Sequence, residues 1–270
     1  MDIGTAKPTD SEQAAAPHHL LDLVDPGDSF SVDDWLGHAR TCVSNIQAEN
    51  KWPILVGGTN LYIQAFLGGF MEGPEPDESL RAQLAEIEPG ELRRELERVD
   101  PAAAERIHPN DRRRTVRAIE VFRLTGRPIS EMQVQWAKAD ANMDVLIIGL
   151  NWPVDVINGR INARVGRMME SGFLDEVQHL HEAGSFGVQS REALGYKQLL
   201  EHLEGGCSQE EAVEQIKILS RRFAKQQRTW LRRFQYLWEG HWIDAAEKTT
   251  ETIANEALAF INSNHAGPPS

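Results

Sequence analysis

Apolar and polar positions in the first 70 residues follow two patterns. Short continuous apolar runs closed by glycine or proline are typical of buried strands, whereas apolar residues recurring every three or four positions are typical of helices. A serine followed three residues later by an acidic residue, as at Ser31 and Asp34, predicts a capped helix start. The alternation of strand patterns and helix patterns along the chain predicts an α/β unit. Its elements are a strand at 20–24, a helix from Ser31 to about Glu49, a strand at 54–56 and a helix from Asn60 to about Phe66.

The pattern changes after Gly69. The segment MEGPEPDES at 71–79 has the composition of a linker, and the sequence beyond it is charged and helical to about Lys138. A strand pattern returns at 145–150, so the α/β core is predicted to be interrupted by a helical insertion. Further helices are predicted at 77–87, 90–99, 101–107, 111–125, 154–183, 191–204 and 208–237, with a last strand at 241–244.

These elements predict three parts of the chain. Residues 1–73 and 141–250 form an α/β core, 74–140 form the helical insertion, and 251–270 form the end of a C-terminal helix and a disordered tail. No apolar run approaches the roughly 20 residues of a membrane span, and the start lacks the features of a secretory signal. The cysteines, Cys42 and Cys207, form no CxxC pair. We therefore expect a cytoplasmic protein with no membrane partner. A monomer is also expected.

Charge is distributed unevenly along the chain. The formal net charge is −13, which gives no general attraction to nucleic acid, although phosphate binding needs only a local basic patch. Residues 105–127 contain seven arginines and three acidic residues, and residues 217–233 contain seven basic residues and no acidic one. These two stretches are the candidates for binding phosphate groups.

The turn Gly57-Gly58-Thr59-Asn60 follows the second predicted strand and leads into a helix. Glycines allow a close approach of the backbone to a ligand, and a helix start offers unpaired N–H groups to an anion. Thr59 adds a hydroxyl donor. The pattern is not a Walker A loop, because no GK[ST] follows, and a plain tight turn is the alternative interpretation.

A basic stripe is predicted on the helix at 217–233. Arg221, Lys225, Arg228 and Arg232 recur at intervals of four, three and four residues, with no acidic residue in the segment. Cations placed in this way repel one another unless an anion binds to them. A solvated basic face is the alternative interpretation. The apolar residues at helical spacing, which predict the opposite face, are Leu219, Phe223, Trp230 and Phe234.

Two further segments have the chemistry of an RNA contact. Asp111 is a natural N-cap for a helix that begins with an arginine cluster, in which Arg113 and Arg117 fall on one face. A phosphodiester backbone is the matching partner, and an ordinary surface helix is the alternative. Gly195, inside a predicted helix and next to Tyr196, costs about 1 kcal/mol there, which is consistent with a close approach to a ligand.

Taken together, these segments resemble the tRNA dimethylallyltransferase (isopentenyltransferase) family. They occur in the family's order and cover roughly residues 1–245, so that the set is far more specific than any one motif. The matching blocks are MDIGTAKP at 1–8, PHHLLDLVDP at 17–26, FSVDDW at 30–35, PILVGGTNLY at 53–62, ERIHPNDRRRTVRAIEVFRLTG at 105–126, LGYKQL at 194–199 and SRRFAKQQRTWLRRF at 220–234.

The resemblance implies a function and a fold. Family members transfer a dimethylallyl group from dimethylallyl diphosphate to N6 of the adenosine on the 3′ side of the anticodon in tRNA. Their fold is a P-loop kinase-like parallel sheet flanked by helices, of a nucleotide- and ATP-binding type, with an inserted helical domain that grips the anticodon stem-loop. Mg²⁺ helps to hold the diphosphate, and no protein ligand to the metal is implied in this chain.

The resemblance also implies site residues. Thr59 and Arg221 are the implied catalytic residues, and a diphosphate needs such donors because its negative charge grows in the transition state. The implied diphosphate-binding residues are Gly57, Gly58, Thr59, Arg221 and Lys225. The implied tRNA-binding residues are Arg113, Arg114, Thr115, Val116, Arg117, Ala193, Leu194, Gly195, Tyr196 and Lys197.

One departure from the family limits this expectation. Family members carry a first strand, a GPTASGKT-type P-loop and the catalytic base ahead of the stretch that matches residues 1–8. We therefore expect one of two situations. Either the true start lies upstream of Met1, which the intact later blocks favour, or the chain is a truncated remnant. In both cases we expect the 270 residues alone to be inactive. The alternatives are a tRNA-binding remnant without chemistry, a nucleotide kinase-like relative, and a prenyltransferase acting on free adenine nucleotides.

Overall fold

A computed structural model describes residues 1–68, 73–132 and 145–264. The chain divides into two compact units, one comprising Met1–Tyr62 and Asp144–Ser270 and the other Ile63–Met143. Each is described separately below.

The first unit combines a short sheet with long helices. Strand β1 (Ile147–Asn151) pairs in parallel with β2 (Gly240–Asp244), in register from Ile147 opposite Gly240 to Asn151 opposite Asp244. The helices that lie wholly in this unit are α1 (Asp10–Ala15), α2 (Val32–Ala48), α9 (Val154–Glu170), α10 (Phe173–Glu182), α11 (Val188–Arg191), α12 (Tyr196–Leu203), α13 (Gln209–Leu237) and α14 (Thr250–Asn264).

An aromatic pair anchors the core of the first unit. The rings of Phe173 and Tyr196 meet edge to face, with their centroids 5.0 Å apart, and both side chains are almost completely buried. Gly4 packs against both rings, since a β-carbon at this position would lie 2.3 Å from Phe173 and 2.4 Å from Tyr196. The N-terminal turn therefore belongs to this core. Its other buried members are Val165, Val177, Leu199, Leu200, Ala212 and Ile216.

The second unit is helical in the residues that the structure describes. Asp77, Asp100 and Asp111 cap three of its helices, each accepting a backbone N–H with its side chain. Gly126 ends the longest of these helices in the left-handed conformation, with φ of 71°. After α3 (Asn60–Gly68), which begins at the end of the first unit, the helices are α4 (Glu78–Glu86), α5 (Pro89–Val99), α6 (Pro101–Arg106), α7 (Arg112–Thr125) and α8 (Ile129–Met132).

Two predicted strands are wrong. Residues 20–24 are irregular, because Leu20 and Asp22 adopt left-handed φ angles of 63° and 52° that no extended strand contains. Residues 54–56 are also irregular and exposed, with Ile54 at 78% and Val56 at 86% of full exposure. A strand needs a neighbour to complete its hydrogen bonds, and within the described ranges the only ladder is that of β1 with β2.

Glycines divide two of the predicted helices. The predicted helix 154–183 is interrupted at Gly172, with φ of 90°, and the predicted helix 191–204 at Gly195, with φ of 94°. Both angles favour glycine, so each position ends one segment and orients the next. The tail is helical as far as Asn264, further than predicted, whereas the predicted helix end near 138 lies outside the described residues.

Candidate functional site

The loop at Gly57, Gly58 and Thr59 lies against helix α13. The side-chain Nε2 of Gln227 donates a hydrogen bond of 2.8 Å to the carbonyl oxygen of Gly58. A β-carbon on Gly58 would lie 2.3 Å from that nitrogen, so the contact requires a glycine or a displaced Gln227. Thr59 is exposed directly ahead of α3, whose first residue is Asn60. The structure thus brings the loop and the basic helix together.

Arg221 is fixed by two polar partners. Its Nη1 donates to Oδ1 of Asn162 at 2.6 Å, and its Nη2 lies 3.4 Å from Oε1 of Glu214. Lys217 lies 3.5 Å from the same carboxylate. The expectation that the stripe has no acidic partner nearby is therefore wrong for Arg221, because Glu214 reaches it from seven residues earlier. The guanidinium is held in position on the surface between α9 and α13.

The remaining cations of the stripe differ in their surroundings. Lys225 and Arg232 are exposed, whereas Arg228 is half-buried. The predicted aromatic face is only partly correct, since Phe234 is buried but Phe223 is 47% exposed. Helix α13 packs instead through a set that includes small residues, which aromatic spacing does not reveal. The buried residues of α13 are Ala212, Ile216, Ala224 and Phe234.

Helix α9 contributes residues that sequence reasoning missed. Asn162 holds Arg221, and its neighbours on α9 include the exposed arginines Arg160, Arg164 and Arg167. The guanidinium carbon of Arg160 lies 4.5 Å from the ring centroid of Trp152. The arginine intervals of four and three residues match those on α13 and could have been recognised from the sequence. Asn162 is thus the α9 residue that the structure adds to the surroundings of Arg221.

The candidate RNA segment on α7 contains both exposed and structural residues. Arg113 and Arg114 are exposed, the latter with only a 3.4 Å contact to Asp111. Thr115 is buried and donates its hydroxyl to the carbonyl oxygen of Asp111. Val116 packs against the core of the second unit. Within residues 113–117, Arg113 and Arg114 are thus the residues with exposed side chains.

Arg117 belongs to a network around a buried carboxylate. Glu120 is 0% exposed, and its oxygens accept from Nη1 of Arg117 at 2.6 Å, from Arg81 at 2.8 and 3.0 Å, and from the Asp77 N–H at 2.9 Å. Arg117 also donates to the carbonyl oxygen of Pro74. Burial raises the pKa of Glu120, but these donors outweigh it and hold the pKa below its usual value. This network gives Arg117 a structural role.

The segment 193–197 is organised by a second carboxylate that sequence reasoning missed. The hydroxyl of the buried Tyr196 donates to Glu176 at 2.5 Å, and Glu176 also accepts the N–H groups of Asp2 at 2.7 Å and Ile3 at 3.0 Å. Burial and this carboxylate raise the pKa of Tyr196. The Gly195 N–H donates to the Gln198 side chain. This backbone donor is therefore already used within the protein.

The other members of the segment reach solvent to different extents. Lys197 is exposed and pairs with Glu192 at 2.7 Å, Leu194 is exposed, and Ala193 is half-buried. A ligand at this turn can therefore meet the Lys197 ammonium and the Leu194 side chain, whereas Tyr196 faces the core.

No group of three or more histidine, cysteine, aspartate or glutamate side chains in the described part of the chain is arranged to hold a metal ion. Mg²⁺ commonly keeps several waters and binds through substrate phosphates with few protein ligands. The described residues therefore form no metal cage of their own. A search of the same residues finds no helix both long and apolar enough to cross a membrane.

Comparisons with known proteins agree with the sequence blocks. The family model described as IPP transferase matches residues 1–234. A tRNA dimethylallyltransferase of Geobacter sulfurreducens is 45% identical over 238 residues, covering 86% of this chain and 76% of that protein. One from Syntrophobacter fumaroxidans is 44% identical over 253 residues, covering 92% and 73%. These matches confirm the family resemblance predicted from the sequence.

Solved structures of similar fold support the same assignment. The tRNA isopentenylpyrophosphate transferase of Bacillus halodurans is 37% identical, with a TM-score of 0.69 and coverage of 98% of this chain and 83% of that one. A eukaryotic dimethylallyltransferase acting on tRNA is 25% identical, with a TM-score of 0.82 and coverage of 99% and 71%. The predicted α/β fold class is confirmed.

Proposed function

Because the chain belongs to the IPP transferase family, we propose that it transfers a dimethylallyl group from dimethylallyl diphosphate to N6 of the adenosine on the 3′ side of the anticodon in tRNA. The observation that carries this proposal is the hydrogen bond from Gln227 to Gly58, which joins the Gly57–Gly58–Thr59 loop to the basic helix α13. A glycine loop, a helix start and a cationic helix together form a surface suited to a diphosphate.

The chemistry requires charge stabilisation at the leaving group. The N6 nitrogen forms a bond to C1 of the dimethylallyl group, the C1–O bond breaks, the electron pair leaves with diphosphate and N6 gives up a proton. The Thr59 hydroxyl, Arg221 and Lys225 are proposed to bind the diphosphate oxygens as their negative charge grows. The contacts of Arg221 with Asn162 and Glu214 hold its guanidinium in place before substrate arrives. Mg²⁺, when bound to the diphosphate, would neutralise part of the same charge.

Recognition of tRNA is proposed to rest on exposed cations and on the turn at 193–197. Arg113 and Arg114 suit phosphate contacts because both side chains are exposed. Lys197 is exposed and held only by a surface pair with Glu192, which contributes little to stability. The gripping role of the insertion 74–140 stays a prediction, as do a monomeric state, a cytoplasmic location and nucleotide binding.

The proposal is tested by incubating the protein with tRNA, Mg²⁺ and labelled dimethylallyl diphosphate, expressed with and without the codons that precede Met1 in its reading frame. In the active form, Arg221→Ala should lower kcat/KM by about 10²- to 10³-fold, the scale for losing one transition-state donor. Arg222→Ala, an exposed neighbour on the same helix, is the matched control. Label transfer to a free adenine nucleotide in place of tRNA would contradict the proposal, as would Arg221→Ala with kcat/KM within twofold of the parent.

A further inference from the structure

Arg228 carries a buried polar atom without a partner. Its Nη1 is inaccessible to solvent and makes no hydrogen bond. Across the described ranges one other side-chain atom shares this condition, Oε1 of Gln64 in the second unit. An unsatisfied N–H on a charged group is costly to bury, more so than one on a neutral group. The native protein therefore retains a donor that a ligand could satisfy.

The position of Arg228 connects this donor to the proposed diphosphate surface. The preceding residue, Gln227, donates to the Gly58 carbonyl oxygen, so this turn of α13 is the one that contacts the glycine loop. Arg228 lies seven residues after Arg221 and three after Lys225, intervals that place all three on one face of the helix. An anion held between the loop and α13 would thus approach the turn that contains Arg228.

Within the described residues, Arg228 forms no ion pair with a carboxylate. Residues 217–233 contain no acidic residue, and the carboxylate of Glu214 is already shared by Lys217 and Arg221. A guanidinium presents five N–H donors in a planar fork, a geometry that suits two oxygens of one phosphate group. The chemical class that matches the unmet donor is accordingly a phosphate or diphosphate group.

We propose that Arg228 is a further substrate-binding residue, whose guanidinium contacts the diphosphate of the prenyl donor beside the Gly57–Gly58–Thr59 loop. This inference rests on the proposed function and adds Arg228 to the residues assigned to the diphosphate. It also explains why the side chain keeps an unmet donor in the ligand-free protein. Because this N–H is shielded from solvent in the ligand-free protein, the guanidinium must turn outward to donate it to bound diphosphate.

The test uses inorganic pyrophosphate as the probe and Arg228→Gln as the variant. Calorimetric titration should show pyrophosphate binding weakened by about 10- to 100-fold, which corresponds to losing one charge-assisted hydrogen bond. The thermal midpoint of the ligand-free variant should equal or exceed that of the parent, because an unsatisfied charged donor has been removed. Arg222→Gln, with the same charge change at an exposed position of α13, should bind pyrophosphate within about twofold of the parent.

The possible results separate this inference from the function on which it rests. A parent that does not bind pyrophosphate, or an Arg228→Gln variant that binds as tightly as the parent, would overturn the role of Arg228. Transfer of label to tRNA could still be observed in that case, which would leave the proposed function standing. Should Arg228→Gln fail to fold, Arg228→Lys decides: weaker pyrophosphate binding supports the inference, and unchanged binding overturns it.

Discussion

The arginines at the start of α7 offer a direct test of which cations bind RNA. Spacing places Arg113 and Arg117 on one face of α7, but the two side chains differ in what they contact. Arg113 and Arg114 are exposed, whereas Arg117 donates to the buried Glu120 and to the Pro74 carbonyl oxygen. We therefore expect the double variant Arg113→Ala/Arg114→Ala to impair tRNA binding and leave the fold intact. The single variant Arg117→Ala should impair the fold.

The two effects have different magnitudes and different readouts. Each phosphate contact contributes on the order of 0.7–0.9 to the slope of log K against log salt, so losing Arg113 and Arg114 should make the slope shallower by about 1.4–1.8. Removing Arg117 takes a charge-assisted hydrogen bond from a fully buried carboxylate that keeps Arg81. The unfolding free energy should fall by about 1.5–3 kcal/mol, the range for such a bond.

Filter binding of tRNA across a salt series measures the first effect, and urea unfolding measures the second. The control is Arg94→Ala/Arg98→Ala, which removes the same charge from exposed positions on the neighbouring α5. An unchanged salt slope for Arg113→Ala/Arg114→Ala would mean that this end of α7 is an ordinary solvated surface. Full stability of Arg117→Ala would refute the structural role assigned to its contact with Glu120.

Two further predictions concern the cores of the units. Gly4→Ala should lower the unfolding free energy by about 1–3 kcal/mol, because its methyl group would overlap the buried rings of Phe173 and Tyr196; a thermal melt unchanged from the parent would contradict this packing. Glu120 has a lowered pKa in the folded state. On acidification, the unfolded chain therefore binds a proton at this carboxylate before the folded protein does. The stability that the carboxylate confers at neutral pH is lost as pH falls below about 4.3, the ordinary pKa of a glutamate, and through the folded pKa. Urea titrations at pH 3 to 6 should show that loss in the parent and a weaker pH dependence in Glu120→Gln.

Helices were predictable where their signals are local. The Ser31 hydroxyl accepts from the Asp34 N–H while the Asp34 carboxylate accepts from the Ser31 N–H, the reciprocal pair that the sequence indicated for α2. Asp111 caps α7 as expected, by accepting from the Arg114 N–H. Because these capping contacts join residues three positions apart, their formation depends little on the remainder of the chain.

Strands depended on partners that no local pattern specifies. The run at 54–56 has the composition of a buried strand but is irregular and exposed, whereas 147–151 forms a strand because 240–244 lies beside it. An apolar run lowers the free energy only when a neighbour supplies both hydrogen bonds and a covering surface. Apolar composition therefore predicted a strand correctly only where the fold provides a parallel partner.

The same distinction explains the limits of site prediction. Helical spacing correctly indicated which arginines of α7 and of α13 share a helix face. It does not indicate which group each arginine contacts. Glu120 neutralises Arg117 from within the same helix, and Glu214 reaches Arg221 across seven residues. Arg228, in contrast, keeps an unsatisfied donor despite lying on the same stripe as Arg221. The partner of each cation, which only the folded chain defines, thus decides which arginines remain available to an anionic substrate.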